Sequence, residues 1–181
     1  VWRENTPNRS RGVRITVSTS CFVPKSHTPF QWEAQNTQEE YLRKVTLLRE
    51  HMRNKSITYN WHDPETSYLE AVLSRGDRRI ADVIEEAWRH GAKFDSWSEY
   101  FNLQTWLTAM ETCGVSPAFY ANRVREKDEI LPWHVISDGV KESYLWRERE
   151  TAYAGKITPD CKVKCSGCGA DKLCKGGICH G

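Results

Sequence analysis

Val13-Arg-Ile-Thr-Val-Ser-Thr19 alternates, with Val13, Ile15 and Val17 on one face and Arg14, Thr16 and Ser18 on the other. A side-chain period of two predicts a β-strand. Cys21-Phe-Val-Pro-Lys25-Ser-His-Thr-Pro-Phe30 follows as a loop, because its two prolines withhold ladder donors. Thr37, with Glu40 three residues on, has the form of a capping box and predicts a helix start. Tyr41, Val45, Leu48 and Met52 then recur at helical spacing and should be buried. Ile57-Thr-Tyr-Asn-Trp61 reads as a second strand, ended by His62-Asp-Pro64. Strand, helix and strand in that order suit a parallel crossover unit, so the fold class is α/β. Two strands alone make no stable open sheet. They are covered by the helices, or they expect neighbours outside this chain.

Beyond residue 64 the pattern is helical. Ile80, Val83, Ile84, Ala87 and Trp88 form one apolar stripe that stops near Gly91. Leu103, Trp106, Leu107 and Met110 form another that stops at Gly114, and a charged helix is expected from about Lys141 to Ala154. Trp97-Ser-Glu-Tyr-Phe101 and Ile130-Leu-Pro-Trp133 read as aromatics packed on a core. After Thr158-Pro-Asp160 almost no large apolar residue remains, so the tail needs a staple.

The 181 residues, with eight Trp, seven Tyr and five Phe, suffice for a real core. A net charge of +2 argues against a dominant nucleic-acid or membrane field and leaves local basic patches open. No apolar run reaches membrane-spanning length. Five of the seven cysteines fall at Cys161, Cys165, Cys168, Cys174 and Cys179, followed by His180. Clustering at one end, an odd number and no signal-peptide pattern point to the cytoplasm and to metal-binding thiols. The first residue is Val1, not Met, and a polar, turn-like start suggests a piece of a longer protein.

Several groups carry possible chemistry. Cys161-x3-Cys165-x2-Cys168 supplies three thiolates for closed tetrahedral zinc or an iron–sulfur cluster, with Cys174 or Cys179 as the fourth ligand and His180 as a substitute. Disulfides or free thiols are the alternative. Lys25 and His27 stand in a loop after a strand, where α/β sites gather, and have the chemistry to reach a phosphate or carboxylate. Side chains of His62 and Asp63, adjacent on extended backbone, should point apart. Arg75-Gly-Asp-Arg-Arg79 turns into a helix; Asp77 would cap it, and Arg75, Arg78 and Arg79 would cradle an anion or stand as a solvated charged start.

Together, Thr16-Val-Ser-Thr-Ser-Cys-Phe-Val-Pro-Lys25, His27-Thr-Pro-Phe-Gln-Trp32, Trp61-His-Asp63, Leu69-Glu-Ala-Val72, Ser74-Arg-Gly-Asp-Arg-Arg79, Phe94-Asp-Ser-Trp97, Ile130-Leu-Pro-Trp133 and Thr158-Pro-Asp-Cys161 resemble the C-terminal third of a family of uncharacterised bacterial radical S-adenosylmethionine (SAM) proteins. That family carries a cobalamin-binding-like domain before its barrel. The Phe22-x-Pro24-Lys25-x-x-Thr28-Pro29 stretch is also similar to a late-strand loop of radical SAM methylthiotransferases.

The resemblance implies that residues 1–64 end a partial parallel barrel, that 65–157 form a helical extension, and that 158–181 form a Cys-rich metal-binding tail. It implies an iron–sulfur oxidoreductase as parent, with SAM and its 4Fe–4S cluster held upstream. The upstream barrel portion would then be this chain's partner. Lys25, His27, Arg75, Arg78 and Arg79 would face substrate or SAM. The tail triad has the spacing of a SAM cluster site, but only 13 residues follow Cys168, so it is expected to be an auxiliary cluster or zinc site. The chain alone would be inactive. A second reading is a zinc-stabilised module that docks RNA or a translation partner, motivated by Arg3, Arg9, Arg11, Arg14 and the lysine-rich tail.

Overall fold

The structure of the chain, a computed structural model, describes residues 13–170. The alternating segment forms strand β1, Ile15–Thr19, and the second forms β2, Ile57–Trp61. They pair in parallel, with Ile15 opposite Ile57 and Thr19 opposite Trp61. The crossover is helix α1, Gln38–His51. Thr37 caps it by accepting from the Glu40 amide at 3.2 Å. The capping box is half made: the Glu40 carboxylate turns instead to Arg43 Nε at 2.7 Å and Lys44 at 3.5 Å. Tyr41 and Val45 are buried as the spacing predicts, whereas Leu48 and Met52 are only partly covered.

Helix α2, Pro64–Arg75, starts at an Asp63 cap that accepts from the Thr66 amide at 2.9 Å, with Pro64 in the first turn where its missing N–H costs nothing. Helices α3 (Ile80–Arg89), α4 (Leu103–Thr112) and the short α5 (Pro117–Ala121) follow, and α6 is Glu142–Tyr153. α3 and α4 are closed by Gly91 and Gly114 at φ of 94° and 64°, a left-handed turn that glycine adopts without a Cβ clash. Among the described residues, no helix is long and apolar enough to cross a membrane.

The main core joins α2 to α5. Leu69, Ile80, Leu103, Trp106, Met110 and Tyr120 are its largest buried members, and Val23 of the β1 loop joins them. A second cluster holds Trp32, Leu131, Trp133 and Leu145, with Trp146 edge-on to Trp32 at 5.0 Å. Full burial of side chains of this size contributes about 2–3 kcal/mol each before entropy is subtracted. No residue of either strand is buried. The strands pair with each other, but among the described residues no helix covers them deeply.

Two packing expectations are corrected. In α3 only Ile80, Val83 and Ala87 are buried, while Ile84 is 47% and Trp88 68% exposed. The buried stripe follows the spacing i, i+3, i+7, and Ile84 and Trp88 lie one position beyond it. Trp97 and Tyr100 are also exposed, and of that aromatic run only Phe101 packs against the core. Asp77 does not cap α3 in the usual sense either. Its carboxylate accepts from the Arg79 amide at 3.0 Å, closing a turn one residue before the helix.

Candidate functional site

The loop after β1 is pinned into a fixed shape. Thr28 Oγ1 donates to the Lys25 carbonyl at 2.7 Å, and the Gln31 amide donates to the Thr28 carbonyl at 3.1 Å. Buried Gln31 presents Oε1 to two donors at once, the His27 amide at 2.9 Å and the Trp133 indole at 2.7 Å. This grip holds His27 at a φ of 56°, which a residue with a Cβ adopts only under constraint. The imidazole faces a cleft of about 340 Å³ formed by this loop, residues 133–142 and the start of α6. There His27 Nδ1 stands 3.6 Å from Asp138, and His134 Nε2 stands 3.1 Å from Glu142. His27 Nε2 is buried without a hydrogen-bond partner among the described residues. Two histidine–carboxylate pairs in one cleft can bind a polar group and move a proton.

Lys25 lies outside that cleft and is exposed in an ion pair with Glu70. At the carboxyl end of β1 a separate cleft of about 280 Å³ lies between the loop and α1, lined by Thr19, Cys21, Gln35, Tyr41 and Lys44 among others. Burial, and secondarily Cys21, pushes the Tyr41 hydroxyl up to about 12.

The arginines of the turn into α3 are not brought together. Arg75 is fully buried, and its Nη2 reaches the Gln31 carbonyl at 3.5 Å. Arg79 is clamped on Asp77 at 2.7 Å, and that bond holds the Asp77 carboxyl down at about 2. Arg78 is exposed and lines, with Arg79, Gly76 and Pro132, an open cleft of about 830 Å³. The expected three-arginine cradle is therefore split: burying Arg75 in the helix layer turns it away from the surface that Arg78 and Arg79 line.

Cys161 and Cys165 are exposed and Cys168 is half-buried. Among the described residues no group of three or more His, Cys, Asp and Glu side chains is placed to hold a metal ion. Cys174, Cys179 and His180 lie outside the described residues. Residues 166–169 are fastened by hydrogen bonds from Lys141, just before α6, and from Arg147 within it. The Lys141 amide donates to the Cys168 carbonyl at 2.8 Å, and Arg147 donates to the Ser166 carbonyl at 2.5 Å.

Asp138, His134 and Glu142 were not legible as site residues. Their only signal in the chain is the proximity of Ile130-Leu-Pro-Trp133, which reads as packing. Comparison of the chain with protein-family models, with curated proteins and with solved structures finds no match.

Proposed function

We propose that this chain is the C-terminal part of a cytoplasmic radical SAM iron–sulfur oxidoreductase, contributing late parallel strands and the helical layer behind them. The observation that carries this reading is the β1–α1–β2 unit: two strands in parallel register, neither with a buried residue, with outer edges to which further strands could add. Loops leave both strands at the same end, where sites of parallel α/β folds lie. The partner is the upstream barrel portion, which would bring the SAM cluster and its cysteines. No residue of this chain is assigned to SAM.

The tail does not yet fit an auxiliary cluster, since Cys161, Cys165 and Cys168 are not gathered. The test is anaerobic reconstitution of the protein together with its upstream sequence, followed by reduction in the presence of SAM. The longer protein should release 5′-deoxyadenosine and the isolated chain should not. No 5′-deoxyadenosine from a longer protein that carries iron and sulfide would overturn the reading, as would an upstream sequence with no cluster-binding cysteines.

A further inference from the structure

The cleft of about 280 Å³ between the β1 loop and α1 stands at the carboxyl end of β1, where ligands of parallel α/β folds bind. Its walls are largely apolar. Phe22, 53% exposed, comes from the loop, and Val45 and Leu48 come from α1. The hydroxyls that line it are already engaged. Thr19 Oγ1 is bonded to the Tyr59 hydroxyl at 2.8 Å, and the Tyr41 hydroxyl donates to the His62 carbonyl at 3.2 Å. Lys44 is the cation among the lining residues, and it is held loosely. Its Nζ stands 3.4 Å from Asn36 Oδ1 and 3.5 Å from Glu40 Oε1. Both Glu40 oxygens already accept from Arg43, at 2.7 and 2.9 Å. An ammonium carries three donors, so Lys44 has capacity left beside an apolar pocket.

We propose that this cleft binds a small monocarboxylate with an apolar body, its carboxylate on Lys44 and its body against Phe22, Val45 and Leu48. The volume falls just below the roughly 300 Å³ at which pockets for drug-sized ligands begin, so the ligand is small. One lysine with Glu40 beside it offsets a single negative charge. A phosphate would bring a second charge against apolar walls and lose hydration that the cleft does not replace. Every wall comes from residues between 19 and 48, so the site needs no upstream sequence and does not rest on SAM chemistry.

The test uses the full chain and phenylacetate, with uncharged phenylacetamide, of nearly the same shape, as control. A ligand-observed NMR titration reads Kd for each. Phenylacetate should bind saturably, and phenylacetamide at least about tenfold more weakly, because it lacks the charge-assisted bond. Lys44→Met, at a half-exposed helix position, should weaken phenylacetate about tenfold and leave the amide unchanged. Leu48→Trp fills the cleft and should remove binding of both, whereas Lys25→Met, outside the cleft, should change neither. No saturable binding of phenylacetate would overturn the proposal. So would an amide that binds as tightly as the acid, or a Lys44→Met variant that binds phenylacetate as the parent does.

Discussion

The Trp133 indole donates to Gln31 Oε1 at 2.7 Å, in a buried bond that spans 102 residues of sequence. The same oxygen accepts from the His27 amide, so one side chain fixes both the β1 loop and the wall opposite it. Gln31→Leu would orphan two donors together and should cost roughly 2–4 kcal/mol. Trp133→Phe removes one donor and leaves the other satisfied, so beyond its packing loss it should cost less. Urea unfolding of both variants checks the order.

His27 supplies a sharper local test. At a φ of 56°, glycine is relaxed and a β-branched residue is strained. His27→Gly should therefore lie within about 1 kcal/mol of the parent despite losing the Asp138 contact. His27→Val should fall by roughly 2 kcal/mol or more. A valine variant as stable as the glycine one would show that the loop takes another shape in solution.

Gly76 ends α2 in ordinary extended backbone, but a Cβ there would stand 2.2 Å from Ile80 Cγ1 and 3.0 Å from the Val72 carbonyl. Gly76→Ala should destabilise by about 1–3 kcal/mol, as overpacking does in a close-packed interior. Thermal denaturation reads it directly.

Asp77 sets an acid limit. Its carboxyl titrates at about 2 in the folded chain because Arg79 bonds it. An unfolded Asp titrates near 4 (about 3.9). The folded carboxyl is the stronger acid, so the pair's contribution is complete above about pH 4 and fades as pH falls through about 2. The pair is partly exposed, so the contribution is small. Asp77→Asn should be less stable than the parent at pH 6, and the gap should shrink to a small fraction of that value by about pH 2. A gap at pH 2 as large as that at pH 6 would assign the stabilisation elsewhere.

Gly169 holds the tail against α6. Its φ is 97°, and a Cβ would meet the Gly139 carbonyl and the Lys141 side chain, each at 3.0 Å. Gly169→Ala should lift the segment and expose Cys168. Its reaction with a disulfide reagent should then approach the rates of the exposed Cys161 and Cys165. Overall unfolding should move little, because no described residue of the tail belongs to either apolar cluster.

The strand–helix–strand unit was legible because its signals are local. Period two, a Thr37 cap and helical spacing at Tyr41 and Val45 each need only a few neighbouring residues. What escaped is set by distant pairing. Arg125 sits in Arg123-Val-Arg-Glu-Lys-Asp128, a run that reads as a solvated face, yet it is buried because it reaches the Arg75 carbonyl 50 residues away. Asp138 is one acid among many until the fold sets it beside His27. Trp88 and Trp97 fail in the opposite sense: large aromatics imply burial, but no described element covers them. Burial is a property of neighbours, and a single sequence names its neighbours only along the chain.

The bare strand pair has a practical consequence. Among the described residues, each strand has one edge whose N–H and C=O groups meet no further strand, with Ile15 and Trp61 exposed beside it. Such an edge is a template for another copy of itself. Threonine, serine and asparagine dilute its stickiness, and α1 lies between the two strands in sequence, which disfavours a simple zipper. Produced by itself at high concentration, the chain should nevertheless associate through this ribbon before any other surface. A lysine at Thr16 or Thr58 would be the first substitution for keeping it dispersed.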